Sequence, residues 1–115
     1  IHDWLPVIDF RAQQDGRFDS TAGMLIASAL LELSEAVKGE PLGSFESDFY
    51  RDAAVRILKA CDEKFDHWDV DQDGIVWGGS LRYHDDRMAG AAIIYGDYFL
   101  TEAVLKLNGK YLSVW

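Results

Sequence analysis

Between Asp19 and Gly39 the chain reads DSTAGMLIASALLELSEAVKG, with apolar side chains at Ala22, Leu25, Ile26, Ala29, Leu30, Leu33 and Val37. A recurrence every three to four residues is the spacing of a helix face. Asp19 or Ser20 can cap the start, because either side chain can accept from the orphan amides of a first turn. Gly39 and Pro41 stop the run. Met24, Ala27 and Ser28 widen the apolar and small surface around most of the helix, so burial on more than one side is expected.

A second helix is expected from about Ser47 to Phe65. Tyr50, Ala53, Ala54, Ile57, Leu58, Cys61 and Phe65 form its stripe, with Asp52, Arg56, Lys59 and Glu63 facing water. A third is expected from roughly Ala89 to Leu107, carrying Ala92, Gly96, Phe99, Leu100, Ala103 and Leu107 on one face and ending at Asn108 and Gly109. GIVW (74–77) is too short and apolar for a helix and reads as an extended segment. Residues 1–18 show no lasting period and read as a loop entering the first helix. The pattern predicts one all-α unit over residues 1–115, built from helical hairpins with one short extended segment. Broad apolar faces, Gly96 and the alanines imply packing against further helices, in the same parent protein or in a partner.

Composition narrows the function classes. The chain has 115 residues, 49% of them hydrophobic, which is too apolar for disorder. A net charge of −9 disfavours an electrostatic grip on nucleic acid or on an anionic membrane. No stretch reads as long enough to span a bilayer. The start IHDWLPVIDF has neither a basic region nor an apolar run, so no signal peptide is read and a cytoplasmic location is the expectation. The one cysteine, Cys61, falls in an apolar helical stripe and reads as a buried structural thiol.

The stretch DVDQDGIVWGGS opens like a calcium loop. Asp69, Asp71 and Asp73 occupy the first, third and fifth places, Gly74 supplies the turn, and Ile75 can offer a carbonyl. Trp77 and Ser80 stand where later ligands belong. Asp and Gly are also preferred turn residues, and that reading is favoured. Asp85 and Asp86 are adjacent and cannot easily face one another across a substrate, as glycosidase carboxylates do. His2, His67 and His84 lack metal-ligand spacing. Trp4, Trp68, Trp77 and Trp115 are compatible with sugar stacking, but ordinary core packing is the favoured reading for large aromatics. Tyr83 and His84, in a loop before a helix, are better placed for binding.

Two segments together resemble one family. VIDFRAQQDGRFDSTAGMLIASALLELSE, and GIVWGGSLRYHDD followed by IIYGDYFLTEAVLKL, resemble the unsaturated glucuronyl hydrolases of glycoside hydrolase family 88 in its final portion. The resemblance implies part of an (α/α)6 toroid. It implies an enzyme that removes unsaturated uronic acid from the non-reducing end of lyase-generated oligosaccharides by hydrating a vinyl ether, with no cofactor. The partners it implies are that oligosaccharide and the N-terminal helices of the parent enzyme. The family's catalytic aspartates lie in those earlier helices, so no catalytic residue is assigned here.

Tyr83 and His84 match the family's Tyr-His loop at the substrate end, Asp19 and Ser20 its helix-start motif, and Asp97 a structural Gly-Asp-Tyr motif. Ile8, Phe18 and Tyr95 depart from the family pattern, as does GAA (90–92). An acidic chain that binds an anionic sugar needs local positive charge. Arg82 and Arg87 are the nearest candidates and Arg11 a third, each with a plain surface role as the alternative. A different class of function is a small helical calcium-binding or protein-interaction module.

Overall fold

The computed structural model describes residues 4–11, 16–82 and 85–110. Asp19 sits in an extended conformation and its carboxylate accepts from the Ala22 amide at 3.2 Å. That bond satisfies one of the free donors of the first turn and starts α1, Ser20–Ala36. A 3-10 turn, Val37–Gly39, follows, and the chain reverses into α2, Gly43–Phe65.

The second helix begins four residues before the expected Ser47. Leu42 adopts φ 65°, and its carbonyl accepts from the amides of Phe45 and Glu46. This start uses backbone alone, with no capping side chain, so sequence signals miss it. Gly43 permits the reversal, since a Cβ there would lie 1.9 Å from the Val37 carbonyl oxygen.

α1 lies between α2 and α3, Ile94–Leu107. Its buried apolar side chains are Met24, Ala27 and Leu31, in one core with Ala54, Ile57, Leu58 and Cys61 of α2 and Leu100 and Ala103 of α3. This is not the stripe that periodicity picks out. Leu25 and Leu33 are exposed, as is Ala29, while Ile26 and Leu30 are half-buried. Close approach explains the inversion. A Cβ on Gly23 would stand 2.7 Å from the Cys61 sulfur, so α1 meets α2 closely at this glycine. Ser20–Gly39 is, by length and composition alone, apolar enough to cross a membrane, contrary to the sequence expectation. Its small-residue face is nevertheless packed into the core.

The third helix starts at Ile94 instead of Ala89. Residues Ala89–Ala91 form strand β2, paired antiparallel to β1, Gly79–Ser80, with Gly79 opposite Ala91 and Ser80 opposite Ala89. Gly90 takes φ +78°, which breaks a helix and suits a ribbon. Within GIVW only Val76 forms a bridge, to Asp66, and Gly74 takes φ +85°, so the first strand begins later than expected, at Gly79. Asp97, in the first turn of α3, accepts from the amides of Ile75 at 3.0 Å and Val76 at 2.7 Å. It fastens the long α2–α3 connection to the helix, the structural role expected of it. All of this places the long connection and the entering segment at one end of the helices, and the tight α1–α2 turn with the end of α3 at the other. Loops gathered at one end of a rigid scaffold are where binding groups are commonly mounted.

Candidate functional site

At the loop end Asp19 is half-buried. Burial pushes its carboxyl above the ordinary value, opposed by the amides of Ala22, Ser80 and Thr21. Its cap role is therefore observed, and it lies beneath the β1 strand. Close by, both carboxylate oxygens of Asp66 are buried without a hydrogen-bond partner among the described residues, as are the hydroxyls of Ser20, Thr21 and Ser80. Burial first, and then the nearby charges of Asp62 and Asp97, push the Asp66 carboxyl up to about 7. The Cys61 thiol is pushed up to about 12 by burial and by Asp66 and Asp19, which fits an inert structural thiol.

The connection between β1 and β2 carries most of the residues singled out from sequence. Tyr83 and His84 lie outside the described residues. Arg82 is exposed. Asp85 caps a 3-10 turn, Asp86–Met88, and accepts from the Arg87 amide at 3.1 Å and from its Nε and Nη2 at 3.1 and 3.2 Å. Those bonds hold the Asp85 carboxyl below the usual carboxylate range and engage Arg87 locally. Asp86 turns instead to Arg17, with Nη1–Oδ1 at 3.0 Å. The adjacent aspartates thus take separate partners and do not face one another.

The Arg17–Asp86 pair forms one rim of a cleft of about 480 Å³. Ile8, Phe18 and Phe65 give it an apolar wall, and Gly78, Ala89 and Gly90 give it backbone. Gly78 has φ +82°, and a Cβ there would run into the Phe65 ring at 2.4 Å. The Lys64 ammonium lies 4.0 Å from the centroid of the Phe18 ring and 5.7 Å from that of Phe65. Cation–ring attraction holds it at the wall. Sequence reasoning chose Arg82, Arg87 and Arg11 as the cations for an acidic ligand. At this cleft the structure places Arg17 and Lys64, from segments far apart in the chain, with no local motif to announce them.

A larger groove, about 650 Å³, runs between α1 and α3 past Leu25, Ala29, Ile94, Tyr95 and Tyr98. One side is polar. The Ser28 hydroxyl donates to Glu102, and Lys106 donates to the Ser28 hydroxyl at 3.0 Å, the Ser28 carbonyl at 3.2 Å and Glu32 at 2.9 Å. These groups bond the two helices to each other, and the rest of the groove is apolar.

The calcium-like loop is a turn. Asp69 accepts from the Asp71 amide at 3.1 Å, and its carbonyl accepts from the Gln72 amide. The Ile75 carbonyl, which a calcium loop would offer as a ligand, accepts from the His67 amide at 2.8 Å. Asp69, Asp71 and Asp73 are exposed, and among the described residues no group of three or more His, Cys, Asp or Glu is arranged to hold a metal ion.

No family model matches the chain, and no curated protein matches it in sequence. Its structure, however, is similar to a solved structure of an unsaturated glucuronyl hydrolase, an aspartate-to-asparagine variant named together with the oligosaccharide dGlcA-Glc-Rha-Glc. The two share 25% sequence identity with a TM-score of 0.78, over 93% of this chain and 28% of that one. The chain therefore spans less than a third of that enzyme's length, and what it resembles there is a part of an α/α toroid of an unsaturated glucuronyl hydrolase.

Proposed function

We propose that this chain is the C-terminal portion of a glycoside hydrolase that removes unsaturated uronic acid from the non-reducing end of lyase-generated oligosaccharides. The observation that carries this reading is the structural likeness over nearly the whole chain. The two sequence segments that resemble the same family were identified independently of it. In this reading the reaction is hydration of a vinyl ether. An aspartate protonates the double bond and activates water, water adds, and the hemiketal opens to release the sugar.

The acid/base aspartate belongs to helices outside this chain, in the N-terminal part of the parent protein. The chain's own part is α1 and α3, the fastened α2–α3 connection and the loop end with its cleft. A cytoplasmic location and a place in carbohydrate breakdown belong to the same proposal. The experiment is incubation of the full-length protein with a lyase-generated oligosaccharide. The ultraviolet absorbance of the unsaturated uronate is expected to disappear, whereas residues 1–115 alone leave it unchanged. Persistence of the absorbance with the full-length protein would contradict the activity, and loss with the chain alone would contradict the placement of the acid/base elsewhere.

A further inference from the structure

We propose that the cleft between Lys64, Phe18, Phe65 and the Arg17–Asp86 pair is a binding site for an acidic pyranose, with Lys64 as the cation for its carboxylate. The proposal rests on the glycosidase reading for the class of ligand, and on the cleft's own geometry for the rest.

Three features of the cleft support it. First, its wall is apolar where a pyranose is apolar. Ile8, Phe18 and Phe65 are half-buried side chains that line the space, and sugar C–H faces pack on such surfaces. Gly78 keeps the wall flat, because any side chain there would collide with the Phe65 ring. The side at Gly90 is open, since a Cβ on it would meet nothing within 4 Å.

Second, among the described residues no carboxylate pairs with Lys64 in the cleft. Its ammonium rests over Phe18 at 4.0 Å. Ring contact leaves its N–H donors able to turn to an incoming anion, and a charge-assisted bond to a carboxylate is the stronger kind. Lys64 is the last-turn cation of α2, placed by the helix and not by a loop.

Third, the Arg17–Asp86 pair supplies rim groups without adding net charge. Asp86 is largely exposed, so its carboxylate is screened as well as paired and can accept from sugar hydroxyls.

The test is a titration of the isotope-labelled full-length protein with methyl β-glucuronide, and separately with methyl β-glucoside, followed by amide chemical shifts. Both probes are saturated, so neither is a substrate of the proposed reaction. Failure of the hydrolase reading would therefore show in the absorbance assay and failure of the cleft would show here. The expected result is that the glucuronide, and not the glucoside, shifts the amides of Phe65, Gly78 and Gly90. Lys64→Gln is expected to weaken glucuronide binding about tenfold, while Lys64→Arg keeps most of it. Lys64 lies on the surface of α2, so an unchanged melting temperature is expected for both variants. Equal shifts from the two glycosides, shifts confined to other residues, or undiminished binding by Lys64→Gln would each overturn the proposal.

Discussion

The two faces of α1 could hardly be less alike. Toward α2 the helix presents Gly23, Met24, Ala27 and Leu31, and the fit is so close that Cys61 leaves no room for a Cβ at Gly23. Toward the α1–α3 groove it presents Leu25 and Ala29, and Leu25 remains 45% exposed. The apolar side chains that advertise a helix in the sequence are the ones left uncovered. The closed contact combines Met24 and Leu31 with small residues such as Gly23 and Ala27, which carry little hydrophobic signal. Burial depends on how near another backbone can come, and large side chains hold neighbours away.

That contrast can be broken in graded steps. Met24 is fully buried, so Met24→Ala should cost about 2–5 kcal/mol in chemical unfolding, through lost transfer energy and a residual cavity. A loss below about 1 kcal/mol would mean that the closed face is not tightly packed. Gly23→Val probes the same contact from the opposite direction. Overpacking against the Cys61 sulfur should cost about 1–3 kcal/mol and lower the melting temperature.

Asp66 probes the place where the closed interface meets the long connection. Its folded value of about 7 lies above the ordinary 3.8, so the folded state holds a proton that the unfolded state releases. Stability from this group is complete below about 3.8 and declines as pH rises toward about 7. Above that window its contribution is flat. Asp66→Asn should remove this decline, seen as melting temperatures that converge with the parent at low pH and exceed it at pH 8. A parallel pair of pH curves would contradict the protonated state. The smallest effect belongs to the open face. Leu25→Ser should change the stability of residues 1–115 by no more than about 0.5 kcal/mol, because its side chain is already half in water. A loss as large as that of Met24→Ala would show that this face is covered.

The sequence made the helices legible and left much of their context hidden. Asp19 marks the start of α1 as a capping residue should, and the α2 stripe of Ala53, Ala54, Ile57, Leu58 and Cys61 is buried as its period implies. The start of α2 was hidden because Leu42 supplies it from backbone alone. The start of α3 was hidden because Ala89–Ala91 pairs with Gly79–Ser80, a contact that alanine and glycine do not announce. At the site, Asp97 was legible as a structural residue, since its motif is local. The cleft was not, because residues 8, 16–18, 64–65, 78, 86 and 89–90 converge on it only through the fold. The Asp69–Asp73 run was legible as a turn, and the structure shows one, with the Asp71 amide donating to the Asp69 carboxylate and the Gln72 amide to the Asp69 carbonyl.

The glycosidase assignment is tested most directly by giving the full-length protein two oligosaccharides that differ only in the terminal uronate, one unsaturated and one saturated. Hydration of a vinyl ether needs the double bond, so release of the terminal sugar is expected from the unsaturated chain alone. Cleavage of both at similar rates, or of neither, would contradict it.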